Sequence, residues 1–183
     1  CLQRLQAALR DGFFELYLQP IEPTRPGSTG GPAMEVFVRL HDDCHAVLPA
    51  EFFPAAERYR LMSPIDRWVL GAALAALAAG SIRIADGRSL AINVSGQTLA
   101  DPSFLEFVVE ELDRSGVTPQ QICFEVSENS VIGNLEHARR FIDVLHGMGC
   151  RFALDDFGTN LGGFASLRQL PMDYLKLDGS FMR

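Results

Sequence analysis

Short apolar runs alternate with longer segments of helical period along this 183-residue chain, which confines it to repeated β-α units on a largely parallel sheet. Six runs read as strands: residues 13–21 (FFELYLQPI), 34–40 (MEVFVRL), 89–95 (SLAINVS), 121–127 (QICFEVS), 151–157 (RFALDDF) and 174–180 (YLKLDGS). The first two are joined by EPTRPGSTGGPA, which is rich in turn formers and lacks helical period, so this pair is expected to be antiparallel. Residues 1–12 read as a leading helix. Two further helices are expected from Ala50 to about Arg60 and from about Pro64, a favoured first helical residue, to Gly80. The next takes Asp101 as N-cap, Pro102 at its first position and Gly116 as its stop, with 104, 105, 108, 109 and 112 on one face. A helix capped by Asn134 repeats the pattern, with 135, 138, 141, 142 and 145 as its buried stripe. No internal sequence repeat is visible.

Six strands at roughly 30 residues per unit correspond to most of an eight-stranded β/α barrel, which typically takes about 250 residues. The chain is short by about two units and ends just after a strand. Either the sheet is open or the remaining strands belong to a longer parent chain. With 48% apolar and 21% charged residues, 1–183 is expected to form a single domain around one core. No apolar stretch is long enough for a membrane span. A net charge of -7 and a pI near 5.0 argue against a DNA or RNA polymer as partner, while a small anionic ligand stays open. Cys1, Cys44, Cys123 and Cys150 form no C-x-x-C pair; Cys123 within an apolar run and Cys150 just before one are expected to be reduced, buried thiols, and a reducing cytoplasm is the expectation.

Acidic and amide residues interrupt the apolar strands near their ends, where α/β enzymes place their sites. Glu35 opens its strand; Asn93 lies in AINVS, Glu125 in FEVSE, Asp155 and Asp156 in ALDDFG, and Lys176 and Asp178 in LKLD. One strand-end carboxylate is ordinarily a cap or an ion-pair partner. Five such polar positions on four successive strands are expensive to bury unless a cation neutralises them, and their all-oxygen character suits Mg²⁺, Mn²⁺ or Ca²⁺. Successive strand side chains face opposite ways, so Asp155 and Asp156 reach one site only where the strand turns. A shared carboxylate there could bridge two ions in the arrangement used for in-line displacement at phosphorus. Lys176, the only lysine, would orient a water or neutralise phosphate, and Arg39, on the strand face of Glu35, could meet the phosphate. A Schiff-base role for Lys176 fits poorly, because neighbouring carboxylates keep it protonated.

Other groups read as ordinary structure. HDDCH (41–45) matches no zinc spacing and reads as a solvated loop, and His137 and His146 read as helix-surface residues. Trp68 and the phenylalanines follow core periodicity, with Phe52 and Phe53 placed where they could flank a base. Gly158, Gly162 and Gly163 form no phosphate loop and point to a mobile segment.

These motifs, in this order, resemble the EAL-domain family of cyclic di-GMP phosphodiesterases. LYLQPI resembles the opening YQPI strand, EVFVRL the EAL signature with its arginine, and LPAEFFPAAERYRLMSPIDRWVL the helix pair that follows. INVSGQTL resembles the NxS segment, FEVSENS the E-x-T-E segment, and LDDFGTNLGGFASLRQLPMDYLKLDGSF the DDFG loop with its LKID strand. The resemblance implies a TIM-like (β/α)8 barrel with an antiparallel first strand, its last two units absent from this chain, excised from a longer multidomain protein. It implies Glu35, Asn93, Glu125 and Asp155 on one metal, Asp155 shared and Asp156 on a second, with Mg²⁺ or Mn²⁺ supporting and Ca²⁺ inhibiting hydrolysis to linear pGpG. Glu35, Lys176 and Asp155 would be catalytic, Gln19, Arg39 and Asp178 would bind ligand, and Glu128 would anchor the loop after DDFG. A homodimer and an upstream GGDEF or sensor domain are further implications. Three departures stand out: Val36 and Phe37 replace the signature's Ala-Leu, Asn160 with Gly162-Gly163 replaces the loop's Gly and Ser pair, and an acidic residue and a Gln of the last strands have no counterpart. A cyclic di-GMP receptor without catalysis is the competing implication. A Mg²⁺-dependent enolase-like barrel shares acidic strand ends and a lysine but leaves the QPI, EVFVR and DDFG order unexplained.

Overall fold

The computed structural model describes residues 2–23, 30–42, 45–157 and 170–177. A helix, α1 (Leu2–Asp11), leads into the antiparallel pair β1 (Phe14–Pro20) and β2 (Pro32–Asp42). After β3 (His45–Val47) come α2 (Pro49–Arg58), α3 (Met62–Ala78), β4 (Ser89–Val94), the one-turn α4 (Gly96–Leu99) and α5 (Pro102–Ser115). A 3₁₀ turn precedes β5 (Ile122–Ser127), followed by α6 (Glu128–Gly133), α7 (Leu135–Met148), β6 (Arg151–Phe157) and β7 (Tyr174–Leu177). The sheet runs β1-β2-β4-β5-β6-β7; β1 is antiparallel to β2 and the strands from β2 through β7 are parallel along this path. No helix among the described residues is long and apolar enough to cross a membrane.

Alternation along each strand separates two faces. Val36, Val38, Leu90, Ile92, Ile122, Phe124, Phe152 and Leu154 are buried in the core with residues of α3, α5 and α7. Phe141 of α7 is the hinge of that packing, with ring centroids 5.5 to 6.0 Å from Phe104, Phe124 and Phe152. The other face carries the small residues Ala91, Cys123 and Ala153, each followed two positions later by Asn93, Glu125 and Asp155. Four inter-strand steps separate β2 from β7, roughly 19 Å in a flat sheet. Yet Lys176 on β7 lies 3.0 Å from Glu35 on β2. The sheet is therefore curled, with the polar residues on its concave face. At the opposite end Arg88 closes the β1–β2 connection by donating to the carbonyls of Ile21 (2.9 Å) and Pro32 (2.6 Å).

Several expectations are corrected. Within HDDCH, His41 and Asp42 complete β2 and His45 opens β3, which pairs back with Leu40↔Val47 and Asp42↔His45, while Asp43 and Cys44 lie outside the described residues. Polar residues suit a hairpin with a solvated face, so polarity alone does not exclude a strand. Pro64 is the third residue of α3, where a missing N–H is still harmless. Asn134 occupies the N-cap of α7 without capping it, because its amide donates instead to the carbonyls of Ser130 (3.2 Å) and Gly96 (3.3 Å). Leu135, placed in the buried stripe, is exposed in the first turn of α7. The Asp101 cap and the left-handed Gly116 stop are as expected. The segment 158–169, with Asn160 and Gly162-Gly163, and Asp178 lie outside the described residues.

Candidate active site

Two identical devices end the central strands. Ser95 follows Asn93 by two residues, accepts from Thr98 N–H and shares a 2.8 Å hydrogen bond with the Thr98 hydroxyl, so β4 stops and α4 begins. Ser127 follows Glu125 by two residues and repeats this with Ser130, its hydroxyl 2.7 Å from that of Ser130. A serine cap satisfies a free N–H of the new helix and breaks the strand at a defined residue. Asn93 and Glu125, directly paired in the ladder, are thereby fixed at the same height on the rim. The third device is different. At Asp155–Asp156 the β6–β7 register shifts, and Asp156 takes a left-handed backbone (φ 55°) with its N–H held by Asp155 at 2.9 Å. This irregularity lets consecutive side chains line one cavity, as the turn expected after ALDD requires, but it lies inside the strand.

The carboxylates converge on Lys176. Its ammonium donates to Glu125 Oε2 at 2.7 Å and Glu35 Oε2 at 3.0 Å and lies 3.8 Å from Asp155 Oδ2. Asn93 Nδ2 donates to Glu35 Oε1 at 2.9 Å, so both Glu35 oxygens are occupied. Glu125 is 1% exposed, and its Oε1 has no hydrogen-bond partner. Burial opposes the charge of Glu35, but the bonds from Asn93 and Lys176 outweigh it and hold this carboxyl below its ordinary range. At Glu125 burial dominates and pushes the carboxyl up, despite the ammonium beside it. Burial also works against the Lys176 charge, yet Glu125 and Glu35 hold the ammonium protonated well beyond its usual range. Among the described residues no three His, Cys, Asp or Glu side chains stand at the spacing that would hold a metal ion between them. The ammonium lies between the carboxylates instead. A divalent cation nevertheless suits this donor set, because all the side-chain donors are oxygens and one buried carboxylate oxygen lacks a partner.

Glu35, Asn93, Glu125, Asp155 and Asp156 line a cavity of about 530 Å³ with Phe53, Glu57 and Met62 on its helical side. Of the two phenylalanines expected near a ligand, Phe53 faces this cavity, while Phe52 is buried in the core against Phe14. Gln19 and Arg39 line an adjoining concavity of about 400 Å³, which shares Phe37, Val38 and Pro49 with the first. Gln19 pairs opposite Glu35, and the Arg39 guanidinium stacks 3.9 Å above the Tyr17 ring. Glu128 is buried at the start of α6, and the loop it was expected to anchor lies outside the described residues. Sequence reading missed Asp66. This α3 carboxylate, buried in the cavity wall, accepts from Ser95 N–H at 2.9 Å and the Thr98 hydroxyl at 2.5 Å, and burial raises its pKa to about 6. The spacing V-S-x-x-[ST] after Asn93 and again after Glu125 was a readable signal for both caps.

The EAL domain family model matches residues 2–183. The cyclic di-GMP phosphodiesterase PdeB of Shewanella oneidensis is 34% identical over 181 residues, which is 98% of this chain and 21% of that protein. The cyclic di-GMP phosphodiesterase PdeF of Escherichia coli is 33% identical over 183 residues, all of this chain and 24% of that protein. The chain thus spans about a fifth to a quarter of the length of these curated relatives. The crystal structure of the FimX EAL domain from Pseudomonas aeruginosa bound to c-di-GMP superposes with a TM-score of 0.88 at 31% identity, over 100% of this chain and 72% of that one. The curled α/β sheet with its antiparallel first strand is therefore of the TIM-like barrel type found in EAL domains. The chain belongs to the EAL domain family.

Proposed function

We propose that this chain carries the metal-dependent phosphodiesterase site that hydrolyses cyclic di-GMP to linear 5′-pGpG in bacterial second-messenger signalling. The observation that carries this reading is the convergence of Glu35, Glu125 and Asp155 on Lys176, with Asn93 bound to Glu35 and these four acidic and amide side chains lining one cavity. The names of the two phosphodiesterase relatives support the substrate. Glu35, Asn93, Glu125 and Asp155 would hold one Mg²⁺ or Mn²⁺, and Asp155 with Asp156 a second. When bound, such ions supply Lewis-acid polarisation of the phosphoryl oxygens and hydroxide at neutral pH.

The side chains do the rest. The Lys176 ammonium orients the attacking water by donating a hydrogen bond to its oxygen and offsets charge on the phosphoryl oxygens. Arg39 pairs with a non-bridging phosphate oxygen, Gln19 and Asp178 hold the ligand by hydrogen bonds, and Phe53 offers an apolar wall to a guanine. Water oxygen bonds to phosphorus in line as the bond to the ribose 3′ oxygen breaks, and the proton lost by water ends on that 3′ oxygen. One ester is opened and the other stays intact. Ca²⁺, with longer and looser coordination, is expected to inhibit. Glu128 is assigned to anchoring the loop after Asp156. A homodimer, a GGDEF or sensor domain elsewhere in the parent protein, and a reducing cytoplasm, where the free thiols of Cys123 and Cys150 persist, complete the proposal.

A second reading, binding of cyclic di-GMP without cleavage, is favoured by one observation: the ammonium, rather than an open space, lies among the carboxylates. Incubation with cyclic di-GMP and Mg²⁺ or Mn²⁺, followed by chromatography of pGpG beside Glu35→Ala, separates the two. Product that vanishes in Glu35→Ala is expected. Intact dinucleotide, bound but uncut by the wild-type protein, would establish the receptor.

A further inference from the structure

We infer that the Lys176 ammonium is a resident counter-ion standing in the cation position of the carboxylate cluster, so that a divalent ion can be held there only after this ammonium has moved out. The inference rests on the metal-site reading above and adds a competition between the protein's own cation and the ion it recruits.

Three buried or half-buried carboxylates facing one another are untenable without positive charge. Among the described residues, Lys176 is the one basic group in ion-pair reach of Glu35, Glu125 or Asp155, at 3.0, 2.7 and 3.8 Å. A lysine offers three donors, one for each. The cluster can thus fold and stay assembled with no ion supplied. The same occupancy has a cost for metal. A Mg²⁺-sized ion needs carboxylate oxygens at about 2.1 Å, and one oxygen of each glutamate, Glu35 Oε2 and Glu125 Oε2, is already held by the ammonium. Both cations on one set of oxygens would lie within a few ångströms of each other, where repulsion is strong in a partly desolvated site.

The geometry also points to how the exchange starts. Glu125 Oε1 is buried and unpartnered, so one ligand atom is free for an incoming ion before the ammonium gives up Oε2. Asp155 is the loosest of the three contacts. Lys176 is on β7, at one end of the strand order among the described residues, and its side chain is about one-third exposed. Its four-carbon stem can swing the charge toward the cavity without dragging a strand. Metal loading then delivers the ammonium to the space where phosphate and water are to be handled. A site that holds its own cation also discriminates against weakly bound monovalent ions, since these gain too little to displace it.

The test is metal affinity, with no turnover involved. Mn²⁺ binding to the purified protein is followed at fixed pH by loss of the free-ion six-line electron paramagnetic resonance signal. Removing the competitor in Lys176→Met is expected to tighten Mn²⁺ binding by about tenfold or more, and Lys176→Arg, whose guanidinium grips two carboxylates at once, to weaken it by a similar factor. Melting of the metal-free Lys176→Met protein should fall below wild type and recover on adding MnCl₂ to a larger extent than wild type does. Lys176→Gln, which keeps a donor but no charge, serves in its place if the methionine variant does not fold. Mn²⁺ binding to wild type with equal or weaker binding to the uncharged variants overturns the resident counter-ion and leaves the metal site standing. Binding to neither wild type nor variants removes both.

Discussion

Glu125 and Asp66 are carboxylates buried in the wall of the same cavity, and they are held by opposite means. Both resist ionisation because burial costs them their hydration. Asp66 answers with neutral donors from one short stretch, Ser95 N–H and the Thr98 hydroxyl, both aimed at its Oδ2. Those donors belong to the capped turn of α4 and cannot leave without unfolding it. Glu125 answers with a single ammonium from β7, two strands away across the curled sheet, and keeps Oε1 unpartnered. The first arrangement spends its hydrogen-bonding capacity on the fold. The second leaves the hydrogen-bonding capacity of one buried oxygen unspent. Burial of a carboxylate is thus ambiguous, and the chemistry and mobility of its partners separate a clamp from a ligand.

The sharpest way to break that contrast is to neutralise each group in turn. Glu125→Gln removes a negative charge but keeps shape and an acceptor for Lys176. Loss of cyclic di-GMP hydrolysis by at least about 100-fold is expected, roughly 3 kcal/mol at the transition state, with melting temperature unchanged or raised. Hydrolysis within a few-fold of wild type would return Glu125 to the class of structural carboxylates. Asp66→Ala is expected to act the other way round. It strands a buried N–H and a hydroxyl and should cost about 2–4 kcal/mol in urea unfolding. A loss below about 0.5 kcal/mol would mean that the turn does not depend on this clamp.

The pH profile sharpens the comparison at a smaller scale. Folding raises the Asp66 pKa from 3.8 to about 6, so the folded state holds this proton more tightly than the unfolded chain. The resulting stabilisation is fully present below about pH 4 and is lost as pH rises through 6. Asp66→Asn keeps an acceptor and has no proton to lose. Between pH 7.5 and pH 4.5 wild type should therefore gain on Asp66→Asn by about 2 kcal/mol in urea unfolding. Parallel stability curves would show that Asp66 is ionised in both states or in neither.

How much of this was legible in the sequence follows the same divide. Glu35, Asn93, Glu125, Asp155 and Asp156 stood out because strand alternation makes a charge within an apolar run anomalous, and the structure lines one cavity with all five. Lys176 stood out as the only lysine, but its place between Glu35 and Glu125 depends on sheet curvature, which no local pattern encodes. Asp66 was invisible for a related reason. Within SPIDRWVL an aspartate reads as the solvated side of a helix, and only contact with a turn 29 residues away buries it. The β2–β3 hairpin was missed because His41 and Asp42 lack apolar alternation, although backbone pairing does not require it. Leu135 failed differently: helical period put it on the buried stripe, but it belongs to the first turn of α7, beyond the edge of the core.

The caps offer the finest test, since Ser95 and Ser127 occupy equivalent places but only Ser95 has Asp66 behind it. Removing a serine cap ordinarily costs about 1 kcal/mol. In Ser95→Ala the backbone N–H of residue 95 still reaches Asp66, and Thr98 keeps its bond to that carboxylate, so the turn retains two of its ties. The Ser127 hydroxyl serves Ser130 in both its N–H and its hydroxyl contact, and among the described residues no carboxylate ties this turn to a packed helix as Asp66 ties Ser95 and Thr98. Ser127→Ala is therefore expected to cost about 1 kcal/mol and Ser95→Ala roughly half of that, measured by urea unfolding. The consequence for chemistry should follow the same order. Glu125 precedes Ser127 by two residues, so slack in that cap moves the buried Glu125 carboxylate, and turnover should fall further in Ser127→Ala than in Ser95→Ala. Equal losses in the two variants would show that the caps act alone, and that Asp66 supports the fold without steadying the rim that carries Asn93.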